Sequence, residues 1–351
     1  GVYDFPGNTG DGYCLGYRAG ARLSGFEYTI VYYIIKDMNA PLLYIVMPRG
    51  ARLLDYQEKD LPEAHVSIKG MLEQHRQNRG PLRIRMNHLP EEKIAEIEGY
   101  LFTTERPVMK RFFEGRGVNF RSGEIELGPT ECYLCGGHGL TGIMVNDRAE
   151  TGVPGLYAAG DTSLVARGHL TGAFVYGQIA AESATQYART AGKPTIDPEQ
   201  ARKAVEGRIA ALTEKGTGPV SVEEFEYKVR RHINDYIVPP KNEYKLKRAL
   251  WWMERFESEI ANGLIRIRDA HDVFKAFELE NIMLSARLAA TASLERRETR
   301  WVPWHFRADY PEKGGDEWLK HIVLTMGDAP ADVKVSYQKI QRMDIPPTSG
   351  T

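Results

Sequence analysis

Between Gly152 and Arg189 the hydrophobic period of the chain changes. An apolar run, Leu156 to Ala159, stops at Gly160, and a single acid, Asp161, follows it. From Gly172 to about Arg189 small and apolar residues recur at helical spacing. The first pattern predicts a short buried strand and the second a helix. Strand, glycine, acid and helix start together form an arrangement suited to a nucleotide cofactor. In open α/β folds ligands gather beyond the carboxyl ends of parallel strands. An acid there accepts hydrogen bonds from sugar or ribityl hydroxyls, and a helix N-terminus offers unpaired N–H groups and partial positive charge. The alternative is an ordinary buried strand and turn.

The same reading extends along the chain. Thr9 is placed as the N-cap of a helix over 11–21, with small residues Gly16, Ala19, Gly20 and Ala21 for close packing. Residues 26–48, rich in Tyr, Ile and Val, read as strands. A helix is expected over 68–79, a strand over 82–89 and a helix over 90–114. A polar connector and a helix fall within 194–218. Three more helices, near 221–236, 243–262 and 268–297, carry apolar residues three and four apart, such as Leu246, Leu250, Met253 and Phe256. Gly263 stops the second of them. They predict an antiparallel bundle.

Composition narrows the function classes. The 351 residues are enough for two or three domains. Hydrophobic content of 42%, charged content of 26% and a net charge of −1 describe an ordinary globular protein with no nucleic-acid footprint. No apolar run approaches the roughly 20 residues of a membrane span. Three cysteines argue for a reducing compartment, hence a cytoplasmic location. Position 1 is Gly rather than Met, and no signal-peptide pattern follows it.

The segment Gly152-Val-Pro-Gly-Leu-Tyr-Ala-Ala-Gly-Asp161 resembles the V-P-G-L-Y-A-A-G-E/D motif of the fumarate reductase/succinate dehydrogenase flavoprotein family, which includes the adenylylsulfate reductase α subunit. Other pieces match that family in the same order. Thr9-Gly-Asp-Gly12 is similar to T-G-D-G, and Arg49-Gly-Ala-Arg-Leu-Leu54 to R-G-E-G-G-x-L without its acid. Arg79-Gly-Pro through His88-Leu89 resembles a segment of the capping domain. Pro129-Thr-Glu-Cys-Tyr-Leu-Cys-Gly-Gly137 resembles P-T-x-H-Y-x-M-G-G, and Arg307-Ala-Asp-Tyr-Pro-Glu312 with Trp318 resembles R-x-D-Y-P-E…W. No G-x-G-x-x-G occurs in the chain. In the family that fingerprint lies upstream and carries the FAD pyrophosphate. The resemblance therefore implies the C-terminal part of a longer FAD flavoprotein, present as a fragment, a processed product or a subunit.

The implied fold is α+β with α/β elements. It comprises an FAD-domain segment over 1–25, a capping or substrate domain over 26–118, a second FAD-domain segment over 119–197 and a C-terminal helical domain over 198–351. The resemblance places Gly160, Asp161, Thr171, Gly172 and Ala173 at FAD, with Asp161 on ribityl or ribose hydroxyls and the Gly172 and Ala173 amides near the reducible ring. His169 sits between the strand and the helix, where it could position the flavin, bind an anion or move a proton; a structural histidine is the alternative. Arg167 is a candidate for an oxyanion, His138 for the ring or substrate, and Arg111 for the family's proton-delivering arginine. Arg106 is a looser candidate for that last role.

Three departures bear on substrate. The family's Q-F-H-P-T histidine has no counterpart in Phe26–Tyr33, its P-T-x-H-Y histidine is replaced by Cys132, and its H-G-A-N-R-L-G arginine is missing from Gly168-His-Leu-Thr-Gly172. Two carboxylates need cationic or strong donors when desolvated, so a dicarboxylate substrate is not expected. Tyr28, Tyr32, Tyr33 and Tyr44 either face a larger, aromatic substrate or form ordinary β core. Cys132-Tyr-Leu-Cys135 could be a redox pair or half a metal site, but its overlay on a family strand makes it incidental, and no metal site is expected.

The function this implies is FAD-dependent oxidation or reduction, with hydride passing between flavin N5 and a small-molecule substrate. A ferredoxin-like iron–sulfur subunit is the expected electron partner. The alternative is a non-catalytic fragment or interaction subunit that binds no flavin alone.

Overall fold

The computed structural model describes residues 7–36, 42–62, 66–165, 169–192 and 196–340. Its contacts divide into two compact units, one formed by Val31–Cys132 and the other by Gly7–Ile30 with Tyr133 onward.

The second unit opens with α1 (Asp11–Arg18), β1 (Leu23–Ser24) and β2 (Thr29–Ile30). The N-cap of α1 is Gly10 rather than Thr9, which corrects the expected helix start. Gly10 holds φ at 87°, a conformation open to glycine, and the Thr9 hydroxyl donates instead to the Asp11 carboxylate at 2.9 Å.

The first unit follows with β3 (Tyr33–Ile35), α2 (Leu43–Val46), β4 (Arg52–Leu54), α3 (Ile68–Arg76), β5 (Leu82–Arg85), α4 (Glu91–Gly99), α5 (Lys110–Gly115) and β6 (Glu124–Pro129). Its strands form an antiparallel sheet in the order β3–β6–β5–β4, with Ile35 opposite Leu127 and Leu53 opposite Ile84. Phe102, Phe113 and Phe120 close one side of the core, with Phe113 edge-on to its neighbours at 5.2 and 5.8 Å. Two expectations are corrected here. Leu43–Val46 is helical rather than extended, and the helix expected over 90–114 is interrupted by a wider turn at Tyr100–Glu105 and a tight turn at Pro107–Met109. Pro107 lacks the N–H that a continuous helix requires.

The chain returns to the second unit with β7 (Tyr133–Leu134), β8 (Gly142–Met144), β9 (Ser163–Leu164), α6 (His169–Thr190), α7 (Pro198–Lys215), β10 (Val220–Ser221), α8 (Val222–Tyr236), α9 (Glu243–Ala261), β11 (Ile265–Arg266), α10 (Ala270–Glu295), β12 (Lys320–Met326) and β13 (Val333–Lys339). The main sheet runs β13–β12–β1–β8–β9, with only β8 and β9 parallel. Leu23 pairs with Leu324 on one side and Ile143 on the other. The hairpin β12–β13 extends this sheet, so the region after the helices is not wholly helical.

The helices α8, α9 and α10 bury Phe225, Val229, Leu246, Met253, Phe256, Leu279 and Met283 together. Their ends are set by side chains: Ser221 and Glu224 form a reciprocal capping box, Asn242 caps α9 and Asp269 caps α10. The small residues Ala286, Ala289, Ala290 and Ala292 let α10 lie close to its neighbours. Its other side, through Leu284 and Leu288, joins the core that holds Cys14, Tyr17, Leu23 and Phe26. No helix of the described residues is long and apolar enough to cross a membrane.

Candidate functional site

The site forms in the second unit, where two short turns meet the start of α6. Leu156–Ala159 is not the expected parallel strand. The Ala158 N–H donates to the Ala149 carbonyl at 3.2 Å and the Thr151 N–H to the Leu156 carbonyl at 3.2 Å, so this segment folds back on its own predecessor after the Pro154-Gly155 turn. The strand parallel to β8 is β9, which comes after the acid. Asp161 thus lies in a single tight turn, Gly160–Thr162, leading into β9.

Gly160 holds φ at 68°, the left-handed region that glycine enters without penalty. A Cβ built on it would stand 3.6 Å from the Cβ of Ala173, so the turn carrying the acid faces the first turns of α6. Gly172 is buried, while His169 and Thr171 are exposed. The helix begins at His169 rather than Gly172, and His169 itself holds φ at 59°. A non-glycine residue at positive φ costs free energy and clusters at functional sites.

The turn Gly136–His138 comes up beside the acid. A Cβ on Gly136 would collide with the Tyr13 hydroxyl and the Asp161 carbonyl, so only glycine allows this approach. A Cβ on Gly137 would stand 3.4 Å from Asp161 Oδ2. The Tyr13 hydroxyl donates to the Asp161 carbonyl at 2.8 Å and fixes the turn from below. Burial, then the nearby Asp161 and Cys135, pushes that hydroxyl well above its ordinary range, so Tyr13 acts as a donor only.

His138 and His169 meet edge to face, with ring centroids 4.8 Å apart. Burial and then the His169 ring lower the proton affinity of His138, while Asp161 opposes them. His138 is therefore neutral at pH 7 and able to accept a proton.

The structure thus gathers Gly160, Asp161, His138, His169, Gly172 and Ala173 in one place. Thr171 lies on the same helix turn. Arg167 falls outside the described residues. Arg111 is exposed on α5 of the first unit, and Arg106 precedes the tight turn there. Of the tyrosines, Tyr28 and Tyr33 are core, with the Tyr33 hydroxyl donating to the Met71 carbonyl at 2.9 Å, and Tyr44 is exposed. All three cysteines are unbridged, and among the described residues no cluster of His, Cys, Asp or Glu could hold a metal. Tyr13 was not a sequence candidate; its partner lies 148 residues away, and no local pattern marks such a contact.

The surroundings fit a large ligand. Of the 22 residues of α6 only Gly172 and Ser183 are buried. Leu170, Phe174 and Val175 are 74%, 75% and 52% exposed at the very turn that faces Asp161. Apolar surface is thus grouped beside the Asp161 carboxylate and the helix amides.

The chain was also compared with known proteins. Residues 226–351 match the family model for the fumarate reductase flavoprotein C-terminus. An uncharacterised FAD-dependent oxidoreductase of Methanocaldococcus jannaschii is 25% identical over 338 residues, covering 90% of this chain and 59% of its own. The L-aspartate oxidase of Acinetobacter baylyi is 27% identical over 357 residues, covering 90% of this chain and 57% of its own. The chain therefore spans less than two thirds of the length of these relatives. The adenylylsulfate reductase of Archaeoglobus fulgidus shares the fold with a TM-score of 0.76 at 19% identity, over 96% of this chain and 62% of that one. Residues 226–351 thus match the C-terminal domain of the fumarate reductase flavoproteins, and over about nine tenths of its length the chain is similar to FAD-dependent oxidoreductases and shares the fold of adenylylsulfate reductase.

Proposed function

We propose that this chain is the flavin-closing and substrate-facing part of an FAD-dependent oxidoreductase. The observation that carries the reading is the meeting of the Gly160–Asp161 turn with the first turns of α6. FAD, when bound, supplies the two-electron chemistry. The protein's part is position and charge. Asp161 accepts hydrogen bonds from flavin ribityl or ribose hydroxyls. The Thr171, Gly172 and Ala173 amides at the head of α6 place partial positive charge beside the ring edge that gains electron density on reduction. Leu170 and Phe174 cover the cofactor and exclude water. His138, held neutral, accepts or returns a proton at the substrate, and the exposed His169 orients the substrate next to it. Arg167 and Arg111 are proposed as anion-binding and proton-delivering groups on the resemblance alone.

The compact unit Val31–Cys132, which takes in most of the expected 26–118, is proposed as the capping domain. The substrate is proposed to be something other than a dicarboxylate. In the second unit the buried cations Lys241, Arg287, Arg296 and Arg307 each already engage protein carbonyls, hydroxyls or carboxylates, which supports this reading. A ferredoxin-like iron–sulfur subunit is the proposed electron partner.

The protein carrying this chain should purify with the visible absorbance of bound flavin. Its flavin should be unresponsive to succinate or fumarate over many seconds of mixing. A colourless protein that takes up no added FAD would favour the interaction subunit instead, and rapid bleaching by succinate would restore a dicarboxylate substrate.

A further inference from the structure

His138 has a second ring neighbour. The indole of Trp304 lies 6.1 Å from it, centroid to centroid, at 46°. This is within the 4.5–7 Å range in which ring pairs attract. Trp304 is half-buried, and its Nε1 is shielded from solvent with no hydrogen-bond partner among the described residues. An unmade buried donor costs about 1–3 kcal/mol, so its retention calls for a physical reason.

The loop that carries Trp304 is unusually well rooted. Its N–H donates to the Trp301 carbonyl at 2.8 Å, and its carbonyl accepts from Thr29 N–H at 3.0 Å. The Arg300 N–H closes the turn on the His305 carbonyl at 3.1 Å. Trp301 holds φ at 51° at the tip and packs on Tyr28 at 5.3 Å. Beneath the turn, the buried His305 ring sits between the carbonyls of Glu27, at 3.2 Å, and Arg296, at 3.3 Å. Lys241 Nζ donates to the same Glu27 carbonyl at 2.7 Å, and Arg296 Nε donates to the Glu27 carboxylate at 2.7 Å. Buried ion pairs are weak evidence of stability. Here they hold one loop in one place, and what that loop presents to the site is a ring against His138.

We propose that Trp304 is a positioning residue for His138: its indole is the fixed wall that sets the imidazole against His169. The consequence for proton transfer rests on the function proposed above; the positioning does not. Removing the wall admits water to the His138 ring. Burial is the largest cause of its lowered proton affinity, His169 adds to it and Asp161 works against it. With burial relieved, the imidazolium regains hydration and the titration midpoint rises toward the ordinary 6.5.

The test is an NMR titration of the intact protein labelled at histidine. In Trp304→Ala the His138 midpoint should rise by roughly half a pH unit or more, about a threefold gain in proton affinity. Trp304→Phe, which keeps a ring, should return most of the wild-type value. An unmoved His138 midpoint in folded Trp304→Ala overturns the proposal. If that variant does not fold, the wild-type protein still decides: a nuclear Overhauser contact between the Trp304 indole and the His138 ring is expected, and its absence overturns the proposal. The titration reads the same protein whether or not flavin is bound, so loss of the FAD reading would show separately as missing flavin.

Discussion

At the scale of single residues, the site depends on groups that do little for one another locally and much across the chain. Tyr13 illustrates this. Its hydroxyl holds the Asp161 carbonyl at 2.8 Å from a helix at the other end of the chain. Tyr13→Phe should lower stability by about 0.5–1.5 kcal/mol, the net worth of one hydrogen bond. Denaturant unfolding would measure it, and an unchanged midpoint would show that the turn is held without that bond. Asp161, Gly160 and the head of α6 were legible in the sequence because they are neighbours in one motif. Tyr13 and Trp304 were not. Their roles come from contacts over long separations, and a tyrosine or tryptophan in an apolar stretch looks the same whether it fills a core or braces a site.

At the scale of elements, legibility follows the strength of local signals. The helices α8, α9 and α10 were expected within two residues of their observed ends from apolar residues three and four apart, and in the structure Ser221, Asn242 and Asp269 cap them through side chains that bond first-turn amides. The hairpin β12–β13 was not foreseen, and neither was the placement of the parallel strand after Asp161. Two-residue strands such as β1 and β9 carry no period of their own; their pairing comes from tertiary contacts. The break at Pro107 was readable from the proline itself, although the helix was expected to run through it. Within the helical core, Phe256 is fully buried and meets Phe225 edge-on at 5.6 Å. Phe256→Ala should cost about 3–5 kcal/mol, whereas Ser221→Ala should cost about 1 kcal/mol through the lost cap. Equal losses in chemical denaturation would contradict this assignment of core and cap.

At the scale of the whole molecule, acid should weaken the fold. His138, His305 and His321 all have proton affinities lowered chiefly by burial, His305 most of all. Each binds its proton more readily when unfolded. Their stabilising effect is therefore present above the unfolded value near 6.5 and is lost as pH falls below it. The thermal midpoint should drop between pH 7 and pH 5; a rise over that window would mean these rings are solvated. The bare apolar face of α6 and the coverage of only part of each relative's length both belong to this scale.

The most direct measurement is the affinity of the protein carrying this chain for FAD, read by flavin fluorescence, with and without the Asp161 carboxylate. A carboxylate accepting hydroxyl hydrogen bonds is worth about 1.5–3 kcal/mol, so Asp161→Ala should raise Kd roughly 10- to 100-fold while the fold stays intact. Equal affinity in the two proteins would contradict the claim that the Gly160–Asp161 turn and the head of α6 hold the flavin.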